Sequence, residues 1–536
     1  MRGADVIAKK LADAGCCWAF GIPGGEVLAM MDALSDAGLT FILTKHENSA
    51  GFMAEGSWHA SGAPGVLLAT VGPGVANAVN VIANAQQDRV PLIFLTGRID
   101  LADQESYTHQ VFDQQVLLRP IVKASFCVSA ETLGLVMEKA LTIACSGQPG
   151  PVHIDIPISV AERPAPASAF GHVPPLRVAQ APAAGPVLEA ARALLAKAQR
   201  PLAVAGVDAV NEGAGPAIGA FCRTQGIPLI TSYKGKGLLD ENNLLALGGA
   251  GLSPKADKIL MPLFAEADLV LLLGYDPIEM RIGWRDPWPA STPVVEIAPV
   301  ERTHGMHRVS HLLLASLPES LRALAEGIEP APRWPDGAAA AARTALAEAF
   351  RPQSGGFGPA EVFQTLRDSL PPETLATADS GAHRILLSQV WRCPEPRSLL
   401  QSTALCTMGC ALPLAMGHAL VQPERPTVVF VGDAGLEMVL GELATLRDLS
   451  LPIVVCVLVD ESLALIELKQ RASQRKNLGV DFAGTDFPAV AAALGGHGLW
   501  IDDEASLARE AEAALGRRSF TLLACRIGRR AYDGTF

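Results

Sequence analysis

The stretch TVVFVGDAGLEMVLGELATLRDLSLPIVVCVLVDES, residues 427–462, decides how the chain is built. Two continuous apolar runs, TVVFVGDAG and LPIVVCVLVD, flank one helical pattern, LEMVLGELATLRDLS. An unbroken apolar run is the mark of a strand covered on both faces, and parallel strands need a crossover helix between them. The stretch therefore predicts two neighbouring parallel strands. Each closes on an aspartate, Asp433 and Asp460, 27 positions apart (460 − 433). Both carboxylates are expected at one edge of one sheet, beyond the carboxyl ends of the strands, where such sheets bind ligands. Two hard oxygen ligands beside a glycine turn suit Mg²⁺, which takes few carboxylates and completes its shell with phosphate oxygens and water. The plainer alternative is that both aspartates cap helices.

The same alternation of apolar runs and helical patterns recurs along the chain. GVLLATV (65–71) and VPLIFLTG (90–97) flank a helical segment, and PLAVAGV, IPLITSY and ADLVLLLG repeat the pattern further on. Two Pro/Ala-rich stretches, 163–185 and 328–358, read as linkers. They divide the chain into 1–162, 186–327 and 359–536. The expected fold class is α/β, with three doubly wound parallel-sheet domains. Three loops stand at predicted strand ends: TVGPGVANA (70–78), ADSGAHR (378–384) and VGDAGLEM (431–438). Glycine there lets backbone approach a ligand, and a following helix N-terminus favours an anion.

Composition narrows the function. Hydrophobic residues make up 49% and charged ones 18%, so the chain can build large cores and subunit contacts. The net charge is −12 without a Lys/Arg block, which argues against a nucleic-acid partner. No apolar run has the length of a membrane span, and MRGADVIAKKLADAG at the N-terminus reads as an amphipathic helix without a signal-peptide core. A cytoplasmic protein with reduced thiols is expected, since none of the ten cysteines forms a C-x-x-C pair.

TKHENSAGFMAEG (44–56) raises a separate question. Glu47 lies in a segment that otherwise reads as buried, and a buried carboxylate costs several kcal/mol unless something pairs with it.

The 433/460 pattern resembles the thiamin-diphosphate motif, which opens Gly-Asp-Gly and closes a helix later in Asn-Asn. Ala434 stands for the second glycine and Val459–Asp460 for Asn-Asn. FGIPGGEVLAMMDAL, KHENSAGFMAEG, TVGPGVANAVNVIANAQQDRVPLIFLTG and CTMGCALPLAMG each resemble segments of the acetolactate synthase branch of thiamin-diphosphate enzymes, in family order. The resemblance implies Mg²⁺ held by Asp433, Asp460 and the carbonyl of Ser462. It implies that Glu47 meets N1′ of the cofactor's aminopyrimidine, which supplies the missing partner and lets the 4′ nitrogen take the C2 proton to give an ylid. Met408 matches the apolar wedge that folds the two cofactor rings together. Cys406 stands where many relatives have glycine and act through a backbone carbonyl. Ser380, Gly381 and His383 match the family loop at the diphosphate, with Ala382 replacing its glutamine. Pro23, Gly24, Gly72, Asn77, Gly432, Ala434, Gly435 and Ile466 complete the implied cofactor-binding set.

The resemblance further implies a carboligase/decarboxylase that acts on a 2-oxo acid such as pyruvate through the ylid and an enamine. Rival readings are a lyase or carboligase on 2-hydroxy ketones or 2-hydroxyacyl thioesters, and a catalytically silent member of the fold. In SYTHQVFDQQVLLRPIVK (106–123), Gln110 and Lys123 match the synthase segment, while His109 replaces Phe and Val111 replaces Glu. Gln110 favours carboligation over protonation; His109 could serve as acid/base or point outward. Leu463 and Ile466 suggest an apolar substrate wall. LAVAGVDAV (202–210) lacks a glycine run, so no FAD is expected. In the family one subunit supplies the pyrimidine side and another the diphosphate side, so at least a homodimer is expected, with a homotetramer as the full assembly.

Overall fold

The computed structural model describes residues 1–100, 102–104, 106–166, 179–278, 280–302, 304–352 and 356–536. Three six-stranded sheets, all parallel, follow one another along the chain. The first holds β1 (Trp18–Ile22), β2 (Thr40–Leu43), β3 (Gly65–Ala69), β4 (Leu92–Arg98), β5 (Ala124–Cys127) and β6 (Pro151–Pro157), in the order β2-β1-β3-β4-β6-β5. The second holds β7 (Pro201–Ala205), β8 (Leu229–Ser232), β9 (Ala246–Ala250), β10 (Leu269–Leu273), β11 (Val294–Ala298) and β12 (His311–Leu314), in the order β12-β11-β10-β7-β8-β9. The third holds β13 (Leu375–Ala378), β14 (Leu399–Gln401), β15 (Thr427–Gly432), β16 (Val454–Val459), β17 (His497–Ile501) and β18 (Thr521–Arg526), in the order β14-β13-β15-β16-β18-β17. The α/β class read from the sequence is the one observed.

The apolar runs of the opening stretch behave as buried central strands. β15 and β16 pair directly, Val428 opposite Val454 through Gly432 opposite Leu458. Their side chains alternate between two cores: Val428, Phe430, Cys456 and Leu458 face one, and Val429, Val431, Val455 and Val457 the other. The first of these cores is shared with the second sheet, through residues such as Leu272 and Phe264, and the other with the first sheet, through Phe52 and Val81. The third domain is thus held between its two neighbours by apolar burial, the dominant favourable term in folding.

The first and third domains meet where the Glu47–Ser61 helix crosses the Ala411–Val421 helix. Glycines set the distance. A Cβ at Gly56 would run into the Leu414 carbonyl, and one at Gly417 into the Met53 carbonyl. Polar staples add the second domain. Arg89 donates to Asp276 at 3.0 Å. Lys236 pairs with Glu241 at 2.7 Å, and Glu241 in turn accepts the Cys393 N–H at 2.7 Å.

The segment 328–358 is more than a spacer. Its Ala338–Ala349 helix buries Ala339, Ala342 and Leu346, and Trp334 and Phe350 flank it in the same core. The Trp334 indole donates to the Pro201 carbonyl at 2.8 Å. Of the other linker, 163–185, residues 167–178 lie outside the described residues; Pro164 bridges Arg2. Among the described residues no helix is long and apolar enough to cross a membrane, and all ten cysteines are unbridged.

Gly417→Ala should lower stability by about 2 kcal/mol or more, since backbone must move on both helices. A urea midpoint unchanged from wild type would contradict the close crossing.

Candidate active site

The carboxyl edge of the third sheet carries the acidic pair. Asp433 follows β15 directly and Asp460 follows β16. Asp433 Oδ2 accepts the backbone N–H of Asp460 at 3.1 Å and of Glu461 at 2.7 Å, so one side chain ties the two strand ends together. Asp460 Oδ1 accepts the Ser462 N–H at 3.2 Å, while the Ser462 hydroxyl turns to Asp481 at 2.9 Å. Burial raises both acids, and the neighbouring Asp433 charge helps push Asp460 to about 7. Two buried carboxylates that repel each other are an arrangement that a divalent cation would relieve. Among the described residues no three His, Cys, Asp or Glu side chains converge on a metal site, so an ion here would draw on main-chain and ligand oxygens as well.

A cavity of about 190 Å³ opens over this pair. It is lined by Asp433, Asp460 and Ser462 with Gly432, Ala434 and Gly435 from the strand-to-helix turn. Ser380, Gly381 and His383 line it from the β13 loop, Cys406 and Met408 from the loop after β14, and Leu463 and Ile466 from the segment beyond β16. His383 is 5% exposed, and its Nε2 is buried without a hydrogen-bond partner. Burial, helped by Arg384, lowers its pKa to about 4, so the ring is neutral at pH 7. An orphaned imidazole nitrogen facing a cavity with a paired acidic wall fits a phosphate-bearing group with its cation. Gly381 lies against that ring; a Cβ there would stand 2.7 Å from it.

Two features of the site, one behind the lining and one in it, escaped the sequence. Asp379 is fully buried and accepts the Gly409 and Cys410 N–H groups, each at 2.8 Å, which fixes the turn that carries Met408. An aspartate immediately after a strand was the available signal. Tyr532, from the C-terminal tail, closes one wall and carries no local pattern that marks it. Cys406 occupies the left-handed region at φ 56°, which explains why glycine suits the position. Its Sγ accepts from Arg384 at 3.2 Å, and its thiol donates to the Thr403 carbonyl at 3.0 Å.

The remaining predicted residues gather at the carboxyl edge of the first sheet. Glu47 opens the Glu47–Ser61 helix, is 5% exposed, and accepts from the Asn77 amide at 3.0 Å. The Gly74 backbone passes beside it. Gly72, at φ 72°, donates to Gln114 at 3.0 Å and abuts Gln110. Gln110 is exposed at φ 59°; His109 is exposed, its ring edge-on to Tyr107 at 6.3 Å. Gly24, beside Pro23 after β1, packs on Thr70, whose hydroxyl donates to Glu26. None of this set lines the 190 Å³ cavity. Lys123 stands apart. It donates to the Ile143 and Ser146 carbonyls and so caps the Leu133–Cys145 helix.

Three parallel sheets, with an acidic pair and a buried, unpartnered imidazole nitrogen at the edge of the third, make a three-sheet α/β protein whose cavity suits a phosphate-bearing group and its cation. Family models agree: the thiamine pyrophosphate enzyme N-terminal TPP binding domain matches residues 1–117, the central domain 188–324, and the C-terminal TPP binding domain 379–525. The chain belongs to the thiamine pyrophosphate enzymes, in their acetolactate synthase-like branch. It is 32% identical to the acetolactate synthase large subunit of Parasynechococcus marenigrum (strain WH8102), over 98% of this chain and 87% of that one. It is 28% identical to the acetolactate synthase of Bacillus subtilis (strain 168), over 95% and 90%. The probable 2-ketoarginine decarboxylase AruI of Pseudomonas aeruginosa is 31% identical, over 98% and 94%.

Cys406→Gly should stay within about 1 kcal/mol of wild type, because relief of the left-handed backbone offsets the lost sulfur contacts. Cys406→Val, β-branched at the same φ, should cost more than about 2 kcal/mol in a thermal melt. Equal stability of the two variants would contradict the assigned backbone.

Proposed function

We propose that this protein is a thiamin-diphosphate- and Mg²⁺-dependent carboligase/decarboxylase that acts on a 2-oxo acid, with pyruvate the first candidate. The observation that carries the reading is the cavity in which Asp433, Asp460 and the unpartnered His383 nitrogen face one space. Asp433, Asp460 and the Ser462 carbonyl would hold Mg²⁺, and the neutral His383 would donate to a diphosphate oxygen. When bound, thiamin diphosphate supplies the acidic thiazolium carbon and the electron sink that decarboxylation of a 2-oxo acid requires.

The chain's own residues do the rest. Glu47, buried and oriented by Asn77, would hold a proton at the pyrimidine nitrogen N1′ of the bound cofactor. Met408 offers the cavity a polarisable apolar wall that would keep water from the reacting carbon of the bound cofactor. Leu463 and Ile466 give the substrate an apolar floor. Gln110 can orient a carbonyl oxygen without giving up a proton, which favours carbon–carbon bond formation over release of an aldehyde. The similarity to a probable 2-ketoarginine decarboxylase supports simple decarboxylation as the second reading; His109, exposed and outside the cavity, adds no support to it. Glu47 and Asp433 belong to different sheets, and Glu47 does not line the cavity, so a second copy of the chain is the natural source of the pyrimidine side. The assembly is then a homodimer at least and a homotetramer in full, and the compartment is the cytoplasm.

Incubation with pyruvate and with other 2-oxo acids, with and without aldehyde acceptors, should release CO₂ and give a hydroxy-keto product identifiable by mass spectrometry. Aldehyde alone would favour the decarboxylase; no CO₂ from any acid would sink both readings. Glu47→Gln should bind thiamin diphosphate about as well as wild type and turn over at least about 100-fold more slowly.

A further inference from the structure

The Pro73–Gln87 helix carries a polar stripe. Asn77, Asn80 and Asn84, with Asp88 just past its end, are spaced by three and four residues and so share one face. Asn77 serves Glu47. The other three reach the loop that leaves β14. Asn80 accepts the Thr407 hydroxyl at 3.0 Å, and Asn84 accepts the Ser402 hydroxyl at 2.6 Å. Asp88 accepts the Thr403 N–H at 3.0 Å, the Thr403 hydroxyl at 3.1 Å and the Ala404 N–H at 2.8 Å. Ser402 then accepts the Thr407 N–H at 2.9 Å, and Asp379 holds the far end at Gly409 and Cys410. Residues 402–410 are thereby fixed along their length, and this is the segment that delivers Cys406 and Met408 to the cavity.

Asp88 is 1% exposed, and a carboxylate so deep needs a cation. Lys234, from the loop after β8 in the central domain, supplies it at 2.9 Å. A second acid, Glu55, lies 3.9 Å from the same ammonium. Burial raises Glu55 to about 8, although Lys234 and the Asn84 amide pull the other way. Near neutral pH Glu55 keeps its proton, and Lys234 is left to Asp88.

We propose that Lys234 is a positioning residue for the cofactor site: by neutralising the buried Asp88 it sets the conformation of residues 402–408, and through them the Met408 wall of the cavity. The inference rests on the reading that this cavity takes thiamin diphosphate. It gives the central domain, which lines none of the cavity, a hold on cofactor affinity.

Lys234→Met and the milder Thr407→Val, which removes only the Asn80 bond, test it. Each is titrated with thiamin diphosphate at fixed Mg²⁺ by calorimetry, melted without cofactor, and assayed for kcat and substrate KM at saturating cofactor. Lys234→Met should weaken cofactor binding by about tenfold or more, with substrate KM little changed. Thr407→Val should weaken it in the same direction by less. A Lys234→Met protein that melts lower yet binds cofactor like wild type would reduce Lys234 to a structural role and overturn the proposal. Should Lys234→Met fail to fold, unchanged affinity in Thr407→Val overturns it equally. If wild type itself binds no thiamin diphosphate, the reading of the cavity falls first and this inference with it.

Discussion

The crossing of the Glu47–Ser61 and Ala411–Val421 helices is the constraint on which the rest of the molecule depends. Two glycines, Gly56 and Gly417, let backbone meet backbone. One helix begins at Glu47, and the other begins immediately after the Met408 turn. Their contact therefore fixes how the amino-terminal sheet sits against the carboxy-terminal one, and with it the spacing between the two groups of site residues. Side chains longer than hydrogen at the crossing would separate the sheets before any polar contact could respond.

Electrostatics at the third sheet follows from burial that the Arg529 charge only partly offsets. Asp433 spends its carboxylate on backbone N–H groups, which keeps it ionisable despite its depth. Asp460 has fewer such bonds and feels Asp433, so it is the more strongly raised of the two. The neutral His383 adds no charge of its own. The cavity is thus short of positive charge on one side and short of an acceptor on the other, a polarity that selects a cation paired with an anion.

Much of this was legible in the residues. The apolar runs at 427–432 and 454–459 are long enough, and free enough of alternation, to name central parallel strands; the crossover that brings Asp433 and Asp460 to one edge is broken into two helices, Asp433–Glu437 and Glu442–Leu449, where the pattern suggests one. The glycine loops at 70–78, 378–384 and 431–438 do stand at carboxyl ends of strands. What stayed hidden depends on contacts far apart in sequence. Nothing near Asp88 announces Thr403 or Lys234, because the three come from different domains. The segment 328–358 passes for a spacer because alanine and proline dominate it, yet Trp334, Leu346 and Phe350 supply an apolar face. The left-handed backbone at Cys406 and Gln110 is invisible without coordinates.

Because β15 and β16 hand alternate side chains to two different interiors, the position of the acidic pair is a matter of parity. Lengthening β15 by one residue upstream of Asp433 would exchange the occupants of both interiors at once and turn the aspartate to the opposite side of the sheet. Lengthening it by two would restore the sides and only shift the edge. The chemistry of this molecule is protected by an even-or-odd count inside a strand that meets the cavity only at its last residue, Gly432.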